Sequence, residues 1–187
     1  MARVRQKNPN RVDTVFFSDQ HFPNEHKPSI ETTLSFTRSY QPDKIFVLGD
    51  VGDMEAPSSY VKHPRKALST QECIEAMRSY FKRLRQAAPD AEIVYRLGNH
   101  EERWNNYLKT HPVITELEVL DYENLLHLRD FDIELVPYKA TYIFNGLSIE
   151  HGDTARPRAG YTAAGMLDKR GISGISGHTH LLGIHYR

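Results

Sequence analysis

Short apolar runs that each break off into a loop of Asp, His, Asn and Gly constrain this chain more than any other feature. Residues 12–17 (VDTVFF) lead into SDQHFPNEHKP, KIFVL leads into Gly49-Asp50, and EIVYRL leads into Gly98-Asn99-His100-Glu101. Runs of that length, rich in β-branched and aromatic residues, predict strands. Helical spacing intervenes between them. Pro28 stands in a first turn with Ile30, Leu34 and Thr37 along one side. Further on, Ser69 and Glu72 form a capping-box pattern ahead of Ile74, Met77, Phe81, Leu84 and Ala88. On that second helix Cys73 and Met77 read as core filling. Residues 101–129 are mostly helical in character, with Trp104, Leu108, Leu117, Leu120, Leu125 and Leu126 as core and Pro112 as a break. Asn145-Gly146 between two strand-like runs predicts a hairpin, since both turn positions favour positive φ. A helix over residues 161–169 then precedes a short strand opening into GHTH. Strands alternating with helices, plus one hairpin, imply an α/β fold with a mixed sheet or a pair of sheets between helical layers.

Composition narrows the class. The chain has 187 residues and no repeat, low-complexity tract or linker-like stretch, so residues 11–187 read as a single domain behind a basic, flexible arm at 1–10. Lys+Arg and Asp+Glu both number 24, which removes any global pull toward nucleic acid or anionic lipid and leaves such work to local patches. Cys73 is the single cysteine and excludes an internal disulfide. The arm MARVRQKNPNR lacks the apolar stretch of a signal peptide, and no apolar run reaches membrane-spanning length, so a cytoplasmic location is expected.

Chemistry gathers after the strands. Asp19-Gln20-His21, Gly49-Asp50-Val51-Gly52-Asp53, Gly98-Asn99-His100-Glu101, His151-Gly152-Asp153 and Gly177-His178-Thr179-His180 each follow a strand-like run. Loops at the carboxyl ends of neighbouring strands in open α/β sheets meet at one crevice. Imidazole, carboxylate and amide oxygen are ligands for divalent metals, and no thiolate is among them. Glu101 and Glu102 read as acids in the first turn of a helix, where the N-terminal dipole favours them.

In that order, the blocks D-x-H, G-D-x-x-D, G-N-H-E, H and G-H-x-H resemble the signature of the calcineurin-like metallophosphoesterases, from Asp19 to His180. The resemblance implies a β-sandwich of mixed sheets flanked by helices. It also implies two divalent ions, Mn first with Fe, Zn or Ni as alternatives. Asp19, His21, Asp50 and His180 would hold one ion, while Asp50, Asn99, His151 and His178 would hold the other. The family places a water between two such ions as nucleophile toward phosphorus. His100 would face the substrate, stabilising the transition state or protonating the leaving oxygen, and Asp53 would hold its other ring nitrogen.

The implied activity is phosphoester hydrolysis, with a phosphodiesterase or nuclease favoured over a small-molecule or protein phosphomonoesterase. A non-catalytic binding module on the same fold is the reading from another class. Two basic groups branch from the site loops, Lys62 with Arg65 and Arg156 with Arg158, and are candidates for holding substrate phosphate of a nucleotide or nucleic acid. Met54 stands where the family's protein phosphatases carry arginine, which counts against that branch. Family members usually continue with further strands beyond the last block, so an incomplete C-terminal sheet edge is expected here, covered by a homodimer partner or an added strand. No membrane partner is expected.

Overall fold

A computed structural model describes residues 11–59, 69–158 and 160–186. The basic arm at 1–10 and the Lys62 and Arg65 candidates lie outside the described residues. The described residues fold as a mixed α/β structure with two sheets and six α-helices. Strands β1 (Thr14–Phe17), β2 (Lys44–Val47), β3 (Glu92–Arg96) and β4 (Ile133–Val136) form a wholly parallel sheet in sequential order. A second sheet has the order β5 (Ile143–Phe144), β6 (Leu147–Glu150), β7 (Gly174–Ser176), with β5 and β6 antiparallel and β6 and β7 parallel.

Side-chain alternation explains the layering. Ile45 and Val47 of β2, with Ile93 and Tyr95 of β3, face a large core shared with the helices. The intervening Phe46 and Val94, with Val136 of β4, face a second core that also holds Ile149 of β6. The parallel sheet is therefore apolar on both faces, covered by helices on one side and by the second sheet on the other, as expected for buried parallel strands.

Helix α1 (Lys27–Tyr40) buries Ile30, Leu34 and Thr37, and α2 (Thr70–Ala87) buries Ile74, Met77, Phe81 and Leu84 as its spacing predicts. The Ser69 and Glu72 capping box is present in full. Cys73 is buried on α2, and burial pushes its thiol pKa up to about 11, so it fills space rather than reacts. Asn145 and Gly146 turn the β5–β6 hairpin with φ of 49° and 78°.

Residues 101–129 are mostly helical, as expected, with a break just before Pro112: α3 (Glu101–Lys109), α4 (Pro112–Thr115) and α5 (Tyr122–Leu125) are joined by tight turns. Two expectations are corrected. Leu117 is 48% exposed rather than core. The β4 strand follows where no strand was expected. The last helix, α6 (Tyr161–Arg170), runs one residue beyond its predicted end and rests Met166 against Ser176 of β7 at 3.3 Å. Among the described residues β7 pairs with β6 alone. Among the described residues no helix is long and apolar enough to cross a membrane.

Candidate metal centre

The loops after β1 and β2 are tied together before they reach the centre. The backbone N–H of Asp19 donates to the Gly49 carbonyl at 3.0 Å and that of His21 to the Asp50 carbonyl at 3.0 Å, extending the strand pairing past both strand ends. Gly49 and Gly98 let the second and third loops touch. A Cβ on Gly49, whose φ is +93°, would sit 2.6 Å from the Gly98 backbone nitrogen.

Glu101 fastens the same two loops from beneath. Its side chain is fully buried. One carboxylate oxygen accepts the backbone N–H groups of Asp50 (2.9 Å) and Gly98 (2.8 Å), and the other accepts those of Val51 (2.7 Å) and Gly52 (3.0 Å). Glu101 opens α3 in its first turn, as the sequence reading had it, and its carboxylate is in addition an internal strut. Burial, followed by the charge of Asp50, raises its pKa, and the Gly52 and Gly98 amides pull the other way. Glu102 lies in the same first turn and pairs with Lys109 at 2.7 Å.

These constraints bring the motif residues together. Ligand atoms of Asp19, His21 and His180 lie within 4.8 Å of one another, as do those of Asp50, His151 and His178, and those of His21, Asp50 and His100. The second group matches three of its four expected ligands and the first matches its expected site without Asp50; the third joins them through His21 and Asp50 and includes His100, which was not expected among ligands. Asn99 reaches the second group, its amide oxygen 2.9 Å from His151 Nε2.

The donor set fits a cation. His151 Nδ1 lies 2.7 Å from the Leu48 carbonyl, which only accepts, so Nδ1 carries the proton. In the neutral ring Nε2 then presents a lone pair to the Asn99 amide oxygen and, at 3.2 Å, to an Asp50 carboxylate oxygen. Three lone pairs converge on one point, an arrangement that calls for a cation or a proton between them. His21 repeats the pattern, with Nδ1 donating to Asp53 at 2.7 Å and Nε2 facing His180 Nε2 at 3.0 Å.

Backbone conformation is unusual at five of these residues. Asp19, His21, Asp50, His178 and His180 all have φ between 51° and 73°. For non-glycine residues that region costs on the order of 1–2 kcal/mol each and persists where surrounding contacts enforce it, as at binding sites.

The electrostatics are those of clustered acids and imidazoles. Burial favours a neutral Asp50, yet the hydrogen bond and charge of His151 and the neighbouring His100 outweigh it and hold the carboxyl below its ordinary range. Burial likewise opposes the Asp53 carboxylate, but bonds from His100, His21 and Asn24 depress its pKa strongly. Burial works against the His21 and His151 imidazolium forms, and their aspartate partners, Asp53 and Asp50, raise both pKa values in spite of it. At His178, burial and the nearby His151 lower it.

Asp53 serves two rings. It is 2.7 Å from His21 Nδ1 and 3.4 Å from His100 Nδ1, so its tighter bond goes to His21 rather than to the expected partner. His100 instead sits 3.1 Å from the Asp53 carbonyl, and its Nε2 receives Arg103 at 3.0 Å. Arg103 also donates to the Asp53 carbonyl at 2.7 Å. Arg103 went unread in the sequence, although its position one helical turn from Asn99 and His100 was the signal that could have found it. Arg156 and Arg158 turn toward α6: the Arg156 guanidinium lies against Gly165, and that of Arg158 lies over the Tyr161 ring at 5.6 Å.

No family model matches the chain. It is similar to the "Gene 54 protein" of Mycobacterium phage L5, 27% identical over 181 residues that cover 91% of this chain and 69% of the phage protein. The "Gene 54 protein" of Mycobacterium phage D29 is 28% identical over 180 residues with the same coverage.

Proposed function

We propose that the chain is a metal-dependent phosphoester hydrolase of the calcineurin-like metallophosphoesterase type, with two divalent ions, Mn first. The observation that carries this reading is the meeting of Asp19, His21, Asp50, Asn99, His151, His178 and His180 in two adjoining groups, reached from five separate loops. Two ions held there would acidify a water and neutralise phosphate oxygens.

The protein's own part is placement and proton handling. Glu101 holds the backbone of Asp50, Gly98 and Gly52 rigid, which fixes the direction of the Asp50 and Asn99 side chains. Asp53 fixes the His21 ring through Nδ1. His100 stands beside Asp50 at 3.7 Å, and its Nε2 accepts from Arg103; once Arg103 moves to a substrate oxygen, Nε2 can take up a proton from solvent and pass it to the leaving oxygen. In hydrolysis the bond from phosphorus to the leaving oxygen breaks, a bond to the water oxygen forms, and the leaving alcohol takes up one proton.

The test is hydrolysis of bis-p-nitrophenyl phosphate and p-nitrophenyl phosphate after reconstitution with Mn²⁺, in the wild type, Asp50→Asn and His100→Ala. Turnover of the diester is expected in the wild type, falling by about 100-fold or more in each variant. A wild type that binds Mn²⁺ yet hydrolyses neither ester would overturn the reading in favour of a binding module.

A further inference from the structure

A cleft of about 760 Å³ opens directly off the metal centre, between residues 56–59 and one face of α3. One wall is Asn99, just before α3, then Arg103, Asn106 and Tyr107 on α3 and Thr110 at its C-cap, spaced so that the helical residues form one stripe. At about 1.5 Å rise per residue the stripe carries the wall about 10 Å beyond Arg103. The volume lies in the range of roughly 300–1,000 Å³ that encloses a small organic ligand. A phosphate group alone would leave it mostly empty.

Its chemistry is selective. Arg103 is the one charged side chain among the described lining residues, and it stands at the end next to His100. The rest of the described lining is hydroxyl, amide, proline and alanine, with the Tyr107 ring, and no carboxylate is among the described lining residues. Tyr107 is held rigid by stacking on His111 at 4.1 Å and on Trp104 at 5.8 Å, so it presents a fixed hydroxyl and ring edge rather than a free face. An anion at the Arg103 end, followed by a group with hydrogen-bonding edges and apolar surface, matches this lining.

Building on the hydrolase reading, we infer that this cleft holds one ester arm of a phosphodiester, that the arm is a nucleoside, and that Arg103 binds the phosphate at its inner end. The substrate class is then a nucleotide diester rather than a phosphate monoester. Arg103 leaves His100 Nε2 when it takes the phosphate oxygen, so substrate binding and release of that ring nitrogen are one event.

The experiment compares thymidylyl-(3′→5′)-thymidine with bis-p-nitrophenyl phosphate in the wild type, Asn106→Trp and Arg103→Lys, all reconstituted with Mn²⁺. In parallel, binding of fluorescein-labelled oligothymidylate to the metal-free proteins is followed by anisotropy. Asn106, Arg103 and Tyr107 are not buried, so the variants retain the core. Asn106→Trp fills the cleft and is expected to raise KM for the dinucleotide about tenfold relative to the aryl diester, and to weaken oligothymidylate binding by a similar factor. Arg103→Lys keeps the charge but loses the two-pronged fork, and is expected to weaken binding about tenfold as well. Equal effects of Asn106→Trp on both esters, or unchanged anisotropy, would overturn the cleft assignment, and so would cleavage of glycerophosphocholine in preference to the dinucleotide. If the wild type hydrolyses neither ester while Asn106→Trp still weakens oligothymidylate binding, the hydrolase reading fails and the nucleoside cleft stands.

Discussion

At the scale of single residues, two carboxylates do most to shape the centre without belonging to the expected ligands. Glu101 receives four backbone N–H groups, so a change that keeps its shape but removes an acceptor is severe. Glu101→Gln turns one oxygen into an NH₂ facing two amide donors. It is expected to cost about 2–3 kcal/mol in urea denaturation, and a loss below half of that would show the loops to be held by other contacts. Asp53 and His21 set a pH window. The Asp53 pKa is depressed in the folded chain, so its contribution is present above the ordinary carboxylate value of about 4 and is lost as pH falls through the folded value. The His21 pKa is raised, so its contribution is complete below about 6.5 and is lost as pH rises through the folded value. In the metal-free protein the pair therefore stabilises most between about pH 4 and 6.5. The difference in thermal midpoint between wild type and Asp53→Asn, scanned across pH in EDTA, is expected to be widest there; a flat difference would refute the linkage.

Elements differ in how plainly the sequence announces them, and the reason is how local their determinants are. Helix α2 carries its own start signal in Ser69 and Glu72 and its own apolar stripe, so its existence and buried face are legible without any partner. Ser69→Ala should cost about 1 kcal/mol of stability, since Gln71 and Glu72 lose their N–H acceptor. A thermal melt that does not move would mean α2 is held by its packing alone. The β4 strand was missed because nothing local makes it one. It is four residues long with the exposed Glu134 inside it, and pairing with β3 decides its conformation. Residues 101–129 were legible as mostly helical with a break at Pro112, but not Leu117, which helical spacing placed in the core and which is exposed. The candidate ligands were legible because chemistry confines them to strand ends. The Glu101 strut was not, because a carboxylate that accepts backbone N–H groups looks in sequence like any acid in a helix first turn.

For the molecule as a whole, the centre is where independent parts of the chain are forced to agree. Asp19 and His21 follow β1, Asp50 follows β2, Asn99 follows β3, and His151 and His178 follow strands of the second sheet, so the two sheets meet at these side chains as well as through their shared core. In the unfolded chain the same groups are spread over some 160 positions and offer no preformed site. A cation bound there therefore stabilises the folded state by mass action, about 2.7 kcal/mol at one hundred times its dissociation constant. Adding Mn²⁺ to the chelator-treated protein is expected to raise the thermal midpoint by several degrees in the wild type, in a dose-dependent way. Asp50→Asn should abolish most of that rise, because Asp50 belongs to two of the three groups. Glu101→Gln should lower the starting midpoint and keep a large part of the metal-dependent rise, since it weakens the frame and leaves the donor atoms in place. A rise of equal size in all three proteins would place the ion elsewhere and detach the Asp19-to-His180 cluster from metal binding.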